Sequence, residues 1–243
     1  MRHVEPFAGG AAFFFARAPQ RALLCDVNRE LIATYIAVRD ELPAVVRELR
    51  KLSHHHDNER YYEVRAAYNA QEHESSAERA AMFIYLNKTC FNGLHRVNRR
   101  GHFNVPVGRY DNPRILDEDL LSSASALLKH AEIRCDSFEG LLSVARPGDF
   151  IYLDPPYEPV SRTANFTAYS KDGFTQEHQA RLRDVFAALD KRRCRLMLSN
   201  SNAPLIHELY QKFRIDTVAA PRAINCNGRG RGKVTELVVR NYK

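Results

Sequence analysis

Short apolar runs alternate with amphipathic stretches along most of this 243-residue chain, and no other feature limits the possible folds as strongly. Such alternation is typical of strands and helices that follow one another in a mainly parallel sheet. The sequence therefore predicts an open, doubly wound α/β sheet that binds ligands at the carboxyl ends of its strands. The predicted strands are residues 2–6, 21–25, 131–135, 149–153, 194–200, 213–219 and 233–240, and the predicted helices are residues 28–47, 115–129, 138–144, 175–190 and 203–211.

The alternation stops between residues 50 and 113, where the chain is rich in His, Tyr, Asn and Arg. A helix-like run at residues 77–87 leads us to predict a largely helical domain inserted into a sheet domain made of residues 1–49 and 114–243. The insertion begins near three successive histidines, His54 to His56. Successive histidines converge poorly on one ion and no second cluster supports them, so we predict a solvated loop and no metal site.

The stretch Ile-Tyr-Leu-Asp154-Pro155-Pro156-Tyr157 is an apolar strand that ends in an acid, two prolines and an aromatic ring. Prolines donate no backbone hydrogen bond, so this turn presents acceptors. A carboxylate and a proline carbonyl can accept both hydrogens of an exocyclic ring amine and so make its nitrogen more nucleophilic. Tyr157 would stack on the ring. The alternative is a strand followed by an ordinary proline-rich turn.

The beginning of the chain reads as a strand, a glycine turn and a helix. Glycines allow close approach of the backbone to a ligand, and a helix N-terminus offers unpaired amides. An acid at the end of the second strand, Asp26, is typical of a residue that binds ribose hydroxyls. The dinucleotide fingerprint Gly-x-Gly-x-x-Gly is absent here. The candidate ligand-binding residues are Glu5, Pro6, Phe7, Ala8, Gly9, Gly10 and Asp26.

Composition is compatible with a soluble protein that binds a polyanion. The hydrophobic fraction is 44%, the mean hydropathy is −0.44 and the formal net charge is +7. No apolar run approaches the roughly 20 residues needed to span a bilayer. Five cysteines are scattered singly, which favours a reducing compartment and argues against zinc. Arginines concentrate between residues 96 and 114 and again near the C-terminus, as expected of a surface for nucleic acid.

Several long segments resemble the Dam-type DNA adenine N6-methyltransferase family, nearly from end to end. The blocks around Asn92 and Pro106 are more specific than the catalytic tetrapeptide, which several amino-methyltransferases share. The resembling segments are Glu5–Gly10, Asp26–Ile32, Tyr85–Asn98, Gly101–Tyr110, Asp154–Tyr157 and Asn225–Leu237.

The resemblance implies a class I, Rossmann-like methyltransferase that uses S-adenosyl-L-methionine. It adds Asp136 and Phe138 to the cofactor-binding set and places Asp154 beside both the methyl donor and the target amine. Catalysis would involve Asp154, Pro155, Pro156 and Tyr157. Direct methyl transfer to N6 of a flipped adenine in duplex DNA is expected, at a GATC-like site.

The same resemblance implies that the insertion recognises the target. Asn92 can pair with an adenine edge and Arg96 with guanine, while Phe91 would wedge into the stack left by the extruded base. The alternative for Phe91 is that it closes the small core of the insertion. The full set of expected DNA-binding residues is Phe91, Asn92, Arg96, Asn98, Arg99, Arg100, Pro106, Arg109, Asn227, Arg229 and Lys233.

Two departures from the family pattern bear on activity. Members usually carry a lysine-bearing Trp/Gly/Gly segment before the first motif, whereas Met1 lies four residues from Glu5. The sequence would then begin at an internal methionine, or the cofactor pocket would lack one wall, in which case the chain would be a catalytically weak or silent DNA-binding relative. Ala11 replaces a frequent glycine, which a small side chain should tolerate. An RNA adenine methyltransferase and an N4-cytosine enzyme are rival interpretations of the same motifs.

The partners expected from the sequence are duplex DNA and S-adenosylmethionine, with no membrane and no metal. We expect a monomer, with a dimer as the alternative. The expected setting is the cytoplasm of a bacterium, or of a cell carrying a phage, in association with the nucleoid and in a restriction-modification role or a related one.

Overall fold

A computed structural model describes residues 1–160, 173–221 and 233–243 of the chain. The strands lie where the apolar runs predicted them, within two residues at each end. They form one seven-stranded sheet in the order β3-β2-β1-β4-β5-β7-β6. The strands are β1 His3–Glu5, β2 Ala22–Asp26, β3 Ala131–Cys135, β4 Phe150–Leu153, β5 Arg195–Ser201, β6 Arg214–Pro221 and β7 Lys233–Arg240.

The sheet reverses its strand order next to β1, and this reversal determines where a ligand can bind. β1 pairs in parallel with β2 on one side and with β4 on the other, and β4 pairs in parallel with β5. β7 is antiparallel to both β5 and β6. In open α/β sheets, ligands bind at the carboxyl ends of the strands where the order reverses. The predicted mainly parallel α/β sheet is confirmed, and this rule makes the ends of β1 and β4 the candidate ligand edge.

Each predicted helix is present, with two corrections. The predicted helix 138–144 is a 3₁₀ turn followed by a four-residue α-helix. The predicted helix 28–47 is two helices that meet at Glu41, because Pro43 lies in the first turn of the second helix and disfavours a helical conformation before it. Two short 3₁₀ turns cover Phe91–Gly93 and Phe138–Gly140. The helices are α1 Ala12–Arg17, α2 Arg29–Asp40, α3 Leu42–Ser53, α4 Asn58–Ala70, α5 Ser76–Thr89, α6 Glu118–Leu128, α7 Leu141–Val144, α8 Gln176–Lys191 and α9 Pro204–Tyr210.

Polar residues begin several of these helices by accepting hydrogen bonds from backbone amides that have no partner inside the helix. The Asp57 carboxylate accepts from the amide of Arg60 at the start of α4. Ser75 accepts from the amide of Glu78 at the start of α5. The helical part of the insertion is therefore specified locally. Its remainder, residues 94–113, contains only isolated bridges and turns.

The chain divides into two compact units, each with a hydrophobic core of its own. One unit comprises Met1–Val27 and Arg134–Lys243, and the other comprises Asn28–Ile133. The first core lies against the sheet, and the second packs around α3, α4 and α5. The predicted insertion, residues 50–113, lies within the second unit. Its boundaries as a functional domain stay a prediction.

A buried ion pair joins the starts of the two strands that carry the acidic candidates. Arg2 precedes β1 and Asp149 precedes β4, and two N–H groups of the guanidinium donate to the two carboxylate oxygens at 3.2 and 2.6 Å. The Arg2 and Asp149 side chains are only 12% and 6% exposed. The carboxylate also accepts from the amide of Arg146. This pair fixes the position of β1 against β4.

We predict that Asp149→Ala lowers the free energy of unfolding by about 3 kcal/mol or more, because it leaves the Arg2 guanidinium buried without its counter-ion. Urea unfolding followed by circular dichroism measures the change. The control is Asp184→Ala, which removes the partner of Arg183 from an exposed pair and should cost about 1 kcal/mol or less. Equal losses in the two variants would contradict the structural role of the buried pair.

Candidate active site

A cavity of about 380 Å³ opens at the carboxyl ends of β1 and β4. It brings together the acid that ends β1, the glycine turn and the acid that follows β4, as the sequence predicted. Of the predicted ligand-binding residues, Pro6, Asp26, Asp136 and Phe138 are not in its lining. The lining consists of Glu5, Phe7, Ala8, Gly9, Gly10, Ala11, Ala12, Phe13, Ala16, Tyr152 and Asp154.

Glu5 is a buried carboxylate held in one orientation. It is 2% exposed, and its Oε1 accepts a hydrogen bond from Nε2 of His3 at 2.6 Å. The His3 ring packs against Phe13 and Phe150, with centroid distances of 5.6 and 5.7 Å, and those two rings also contact each other. A buried carboxylate at the edge of a ligand cavity suits a cationic group on the ligand.

Asp26 holds the glycine turn. The amide of Gly9 donates to Oδ2 of Asp26 at 2.9 Å, and the amide of Ala8 donates to the carbonyl of Cys25. Gly9 and Ala11 both have left-handed backbone conformations, with φ of 46° and 48°. This conformation costs a residue with a side chain about 1 kcal/mol. The small side chain of Ala11 is accommodated, buried at 1% exposure, but its backbone is strained.

Asp136 and Phe138 lie on the segment that follows β3. The amide of Asp136 donates to the carbonyl of Asp26, which ties the ends of β3 and β2 together. The Asp136 carboxylate accepts from the amide of Ser137 at 2.8 Å, just before the 3₁₀ turn Phe138–Gly140. Phe138 is buried, and its ring stacks on Phe7 with centroids 5.5 Å apart. Phe138 thus supports the cavity wall from behind.

Asp154 lies at the edge of the cavity, in a setting that disfavours its charged form. Its carboxylate reaches solvent through the opening, yet protein surrounds it and burial raises its pKa. The Ser199 hydroxyl donates to Oδ1 at 2.5 Å, which opposes the effect of burial. The Tyr157 hydroxyl lies beside the carboxylate and acts in the same direction. Both of these hydroxyl groups are neutral.

The proline turn that follows Asp154 is fixed by side chains from β5 and α8. The side-chain amide of Gln179 donates to the carbonyl of Pro156 at 3.0 Å. Asn200 accepts from the amide of Glu158 at 3.0 Å and donates to Gln179 at 3.2 Å. The carbonyl of Pro155 accepts no hydrogen bond from the described residues. The Pro156 carbonyl therefore already accepts a hydrogen bond, whereas the Pro155 carbonyl is available to accept one from a ligand.

Tyr157 is an accessible aromatic ring beside the carboxylate. It is 38% exposed, and its hydroxyl donates to Oε2 of Glu236 at 3.3 Å. Burial raises the pKa of Tyr157, so this hydroxyl stays protonated at neutral pH. Sequence reasoning did not assign Glu236, Ser199 or Tyr152 to the site. Tyr152 lies within the predicted motif, and Ser199 lies near the end of a predicted strand, but nothing local marked either one.

In the second unit, Phe91 is 43% exposed, so the alternative in which it closes a core is wrong. Asn92 is exposed and has a left-handed backbone with φ of 55°, a conformation that asparagine tolerates. The amide of Phe91 donates to the carbonyl of Pro106 at 2.9 Å, and the backbones of Cys90 and Val107 form an isolated antiparallel β-bridge. The Asn92 and Pro106 blocks, distinct in sequence, are thus neighbours in space.

The predicted base-reading arginine already has hydrogen-bond partners. Arg96 donates through Nε to the Asn104 side chain at 2.7 Å and through Nη2 to the Asn104 carbonyl at 3.1 Å. Asn98 uses its side-chain oxygen to accept from the amides of Arg100 and His102, which shapes a tight turn. Arg99 and Arg100 lie exposed in this turn, and Arg109 is exposed further along the chain.

Three predicted DNA-binding positions are near the C-terminus. Asn227 and Arg229 lie outside the described residues. Lys233 is the first residue of β7, where it pairs with Pro221 in the strand register. The structure describes the position of its backbone only.

The histidine run forms the predicted loop, between α3 and α4. His54 and His55 are exposed, while Nδ1 of His56 is 2.8 Å from the Tyr85 hydroxyl. Across residues 1–160, 173–221 and 233–243, no group of three His, Cys, Asp or Glu side chains is arranged to hold a metal ion.

Comparison with known proteins gives a consistent result over nearly the whole chain. The family model for D12 class N6 adenine-specific DNA methyltransferases matches residues 1–224. The type II methyltransferase M1.LlaDCHI of Lactococcus lactis subsp. cremoris is 43% identical over 242 residues, which cover 98% of this chain and 85% of the relative. The DNA adenine methylase of Escherichia coli strain K12 is 37% identical over 237 residues, which cover 97% of this chain and 84% of the relative.

We predict that Asn200→Ala loosens the proline turn and lowers the free energy of unfolding by about 2 kcal/mol, because it leaves buried hydrogen-bonding groups unsatisfied. Hydrogen exchange should show faster exchange of the Glu158 amide. The matched control is Asn202→Ala, which alters an exposed asparagine two positions along. An unchanged Glu158 exchange rate in Asn200→Ala would show that the turn does not depend on this side chain.

Proposed function

The chain belongs to the D12 class of N6 adenine-specific DNA methyltransferases, and we propose that it takes the methyl group from S-adenosylmethionine and transfers it to adenine in duplex DNA. The observation that carries this proposal is the position of Asp154. The Asp154 carboxylate lies at the carboxyl end of β4, in the same cavity as Glu5 and the glycine turn. Donor and acceptor of the methyl group would meet there.

The residues of the cavity fit the proposed cofactor. S-adenosylmethionine supplies an electrophilic methyl group on a sulfonium ion and carries an ammonium, a carboxylate and a ribose. The buried Glu5 carboxylate suits the ammonium group. At Gly9 and Gly10, no atom lies within 4 Å of the place that a side chain would fill, which leaves room for close approach of a ligand. Asp26 and Asp136 are the proposed ribose and adenine ligands, and Phe7 and Phe138 support the wall.

The described acceptors then explain how an unreactive amine becomes a nucleophile. The lone pair of adenine N6 is delocalised into the ring. A carboxylate oxygen of Asp154 accepts one N–H hydrogen and the Pro155 carbonyl accepts the other, which concentrates electron density on the nitrogen. Pro156 cannot take this role, because its carbonyl accepts from Gln179. Tyr157 offers a ring face on which the adenine stacks.

For an adenine to reach Asp154 it must leave the double helix, which costs a few kcal/mol of stacking and pairing. We assign the residues around Phe91 to this step, since an exposed aromatic ring can fill the gap that the base leaves. Asn92 and Arg96 are proposed to read base edges, and Pro106 to contact a thymine methyl. Arg99, Arg100 and Arg109 are proposed to hold phosphates, together with Asn98, Asn227, Arg229 and Lys233.

A GATC-like target is proposed from the resemblance of the insertion to the Dam-type family. The relatives include type II methyltransferases and DNA adenine methylases, from cellular organisms and from the Escherichia phage P1. We therefore propose that the protein associates with DNA in the bacterial cytoplasm and protects or marks it. We also propose that it acts as a monomer. Within the described part of the chain, no helix has the length and apolar character of a membrane span.

We predict that Asp154→Ala abolishes methyl transfer while DNA affinity stays nearly unchanged, because the carboxylate acts on the amine and contributes little to holding the duplex. Transfer of a labelled methyl group to duplex DNA, with nucleoside analysis, measures activity and identifies the base. Calorimetric titration of the natural chain with S-adenosylmethionine is the control. Absence of cofactor binding there would indicate a silent DNA-binding relative, and preferential methylation of RNA would indicate an RNA adenine methyltransferase.

We predict that Arg96→Ala relaxes sequence choice by roughly 1–3 kcal/mol, as expected for loss of a pair of hydrogen bonds to guanine. Competition between duplexes that differ at single positions measures this. The matched control is Arg99→Ala, which should weaken binding to all sequences alike and lower the slope of affinity against salt by about 1. Unchanged selectivity in Arg96→Ala would remove Arg96 from the base-reading set.

A further inference from the structure

We propose that Ser199 is a positioning residue that fixes the Asp154 carboxylate for methyl transfer, and that Tyr152 acts through it by directing the Ser199 hydroxyl. This inference rests on the proposed function and extends it to two residues to which the sequence analysis assigned no role. Three side chains from two adjacent strands carry the inference. The strand register and the hydrogen-bond distances show that they are in contact, and the protons available determine which group donates to which.

The register brings the three side chains together. β4 and β5 are parallel, with Tyr152 opposite Met197 and Leu153 opposite Leu198. The next pair along is Asp154 and Ser199, just where β4 ends. Side chains two positions apart on a strand point to the same face of the sheet, so Tyr152 lies on the same side as Asp154. The Ser199 hydroxyl oxygen is 2.5 Å from Asp154 Oδ1 and 3.1 Å from the Tyr152 hydroxyl oxygen.

The available protons allow the hydrogen bonds among these three side chains to run in one direction only. An ionised carboxylate accepts hydrogen bonds and cannot donate, so the single hydroxyl proton of Ser199 goes to Asp154. The Tyr152 hydroxyl must then donate its own proton to the Ser199 oxygen. Burial raises the pKa of Tyr152, so its proton is retained at neutral pH. The result is a directed chain from Tyr152 to Ser199 to Asp154, which holds Oδ1 and thereby sets the plane in which Oδ2 lies.

The surroundings explain why this carboxylate depends on such a chain. The titratable groups that face it are Glu5 from β1, Tyr152 from β4, Tyr157 from the turn and Glu236 from β7. None of these is a cation, and no arginine or lysine of the described residues pairs with Asp154. Burial favours the protonated acid, which is a poorer acceptor for the target amine. The Ser199 hydroxyl donates to the carboxylate and the Tyr157 hydroxyl lies beside it, and both neutral groups favour the charged form.

Loss of the Ser199 hydroxyl should shift the pH dependence of methyl transfer in one direction. Removing the Ser199 donor disfavours the ionised form, so the pKa of Asp154 rises further and a higher pH is needed to reach the active form. The acidic limb of the rate profile should therefore move to higher pH, by about one pH unit or more, since a hydrogen bond to a charged group changes such an equilibrium roughly tenfold or more. On the alkaline side the loss should be smaller, because the carboxylate is ionised there in both proteins.

The test is the single-turnover rate of methyl transfer to duplex DNA as a function of pH, which isolates the chemical step from product release. Ser199→Ala should show the displaced acidic limb, and Ser199→Thr, which retains a hydroxyl, should restore it. Tyr152→Phe should move the limb in the same direction and by less. In the double variant that combines Tyr152→Phe with Ser199→Ala, the acidic limb should move no further than in Ser199→Ala alone, because Tyr152 acts through Ser199.

Ser201→Ala is the matched control. Ser201 is also a buried serine of β5, but its hydroxyl donates to the Glu158 carbonyl at 2.5 Å and serves the proline turn instead of Asp154. This variant should lose stability without displacing the acidic limb. A Ser199→Ala profile that is lowered equally at all pH values would overturn the inference, as it would indicate a structural role only. If the natural chain methylates no adenine at all, the proposed function fails, and this outcome is distinct from an undisplaced limb.

Discussion

The parallel pairing of β1 with β4 is the constraint on which the rest of the site depends. The two strands are distant in sequence, yet their register places His3 opposite Phe150 and Val4 opposite Ile151. Glu5 and Asp154 therefore come to the same edge of the sheet, in one cavity. Two carboxylates that line one cavity, the first of them buried, are costly unless each is supported. His3 supports the first and Ser199 supports the second, and each support lies on the same or the next strand.

The proline turn solves a different problem, that of choosing one acceptor among several. Five consecutive backbone carbonyls, those of Asp154 to Glu158, follow the end of β4, and the proposed mechanism uses one of them. Proline removes two backbone donors that would compete for the same acceptors. Gln179 then engages the Pro156 carbonyl, and Ser201 engages that of Glu158. Hydrogen bonds from side chains of α8 and β5 therefore determine which carbonyls of the turn are occupied and which one can accept from the target amine.

The sequence predicted the strands, the acid after β4 and the exposed segment around Phe91, because each depends on a local pattern. Apolar runs alone indicate strands, and Asp-Pro-Pro-Tyr is contiguous. The partners of those residues could not be predicted in the same way. Ser199 meets Asp154 only through the register of two strands, and Glu236 reaches Tyr157 from the far end of the chain. The break at Glu41 was missed because the amphipathic pattern continues across it, while the backbone does not. Asn98 was read as a DNA contact, although its side chain also shapes its own turn.

Some positions that break local rules lie where the function is proposed. Ala11 takes a left-handed backbone in the cavity wall, Asn92 does so beside the exposed ring of Phe91, and Asp154 has hydroxyl groups as its side-chain partners. None of these features favours folding, since each would be more stable with a glycine, a buried ring or a cationic partner. A cation beside Asp154 would stabilise its charge, yet would also withdraw electron density that the target amine needs. Neutral donors avoid this conflict, because they fix the carboxylate without cancelling its charge.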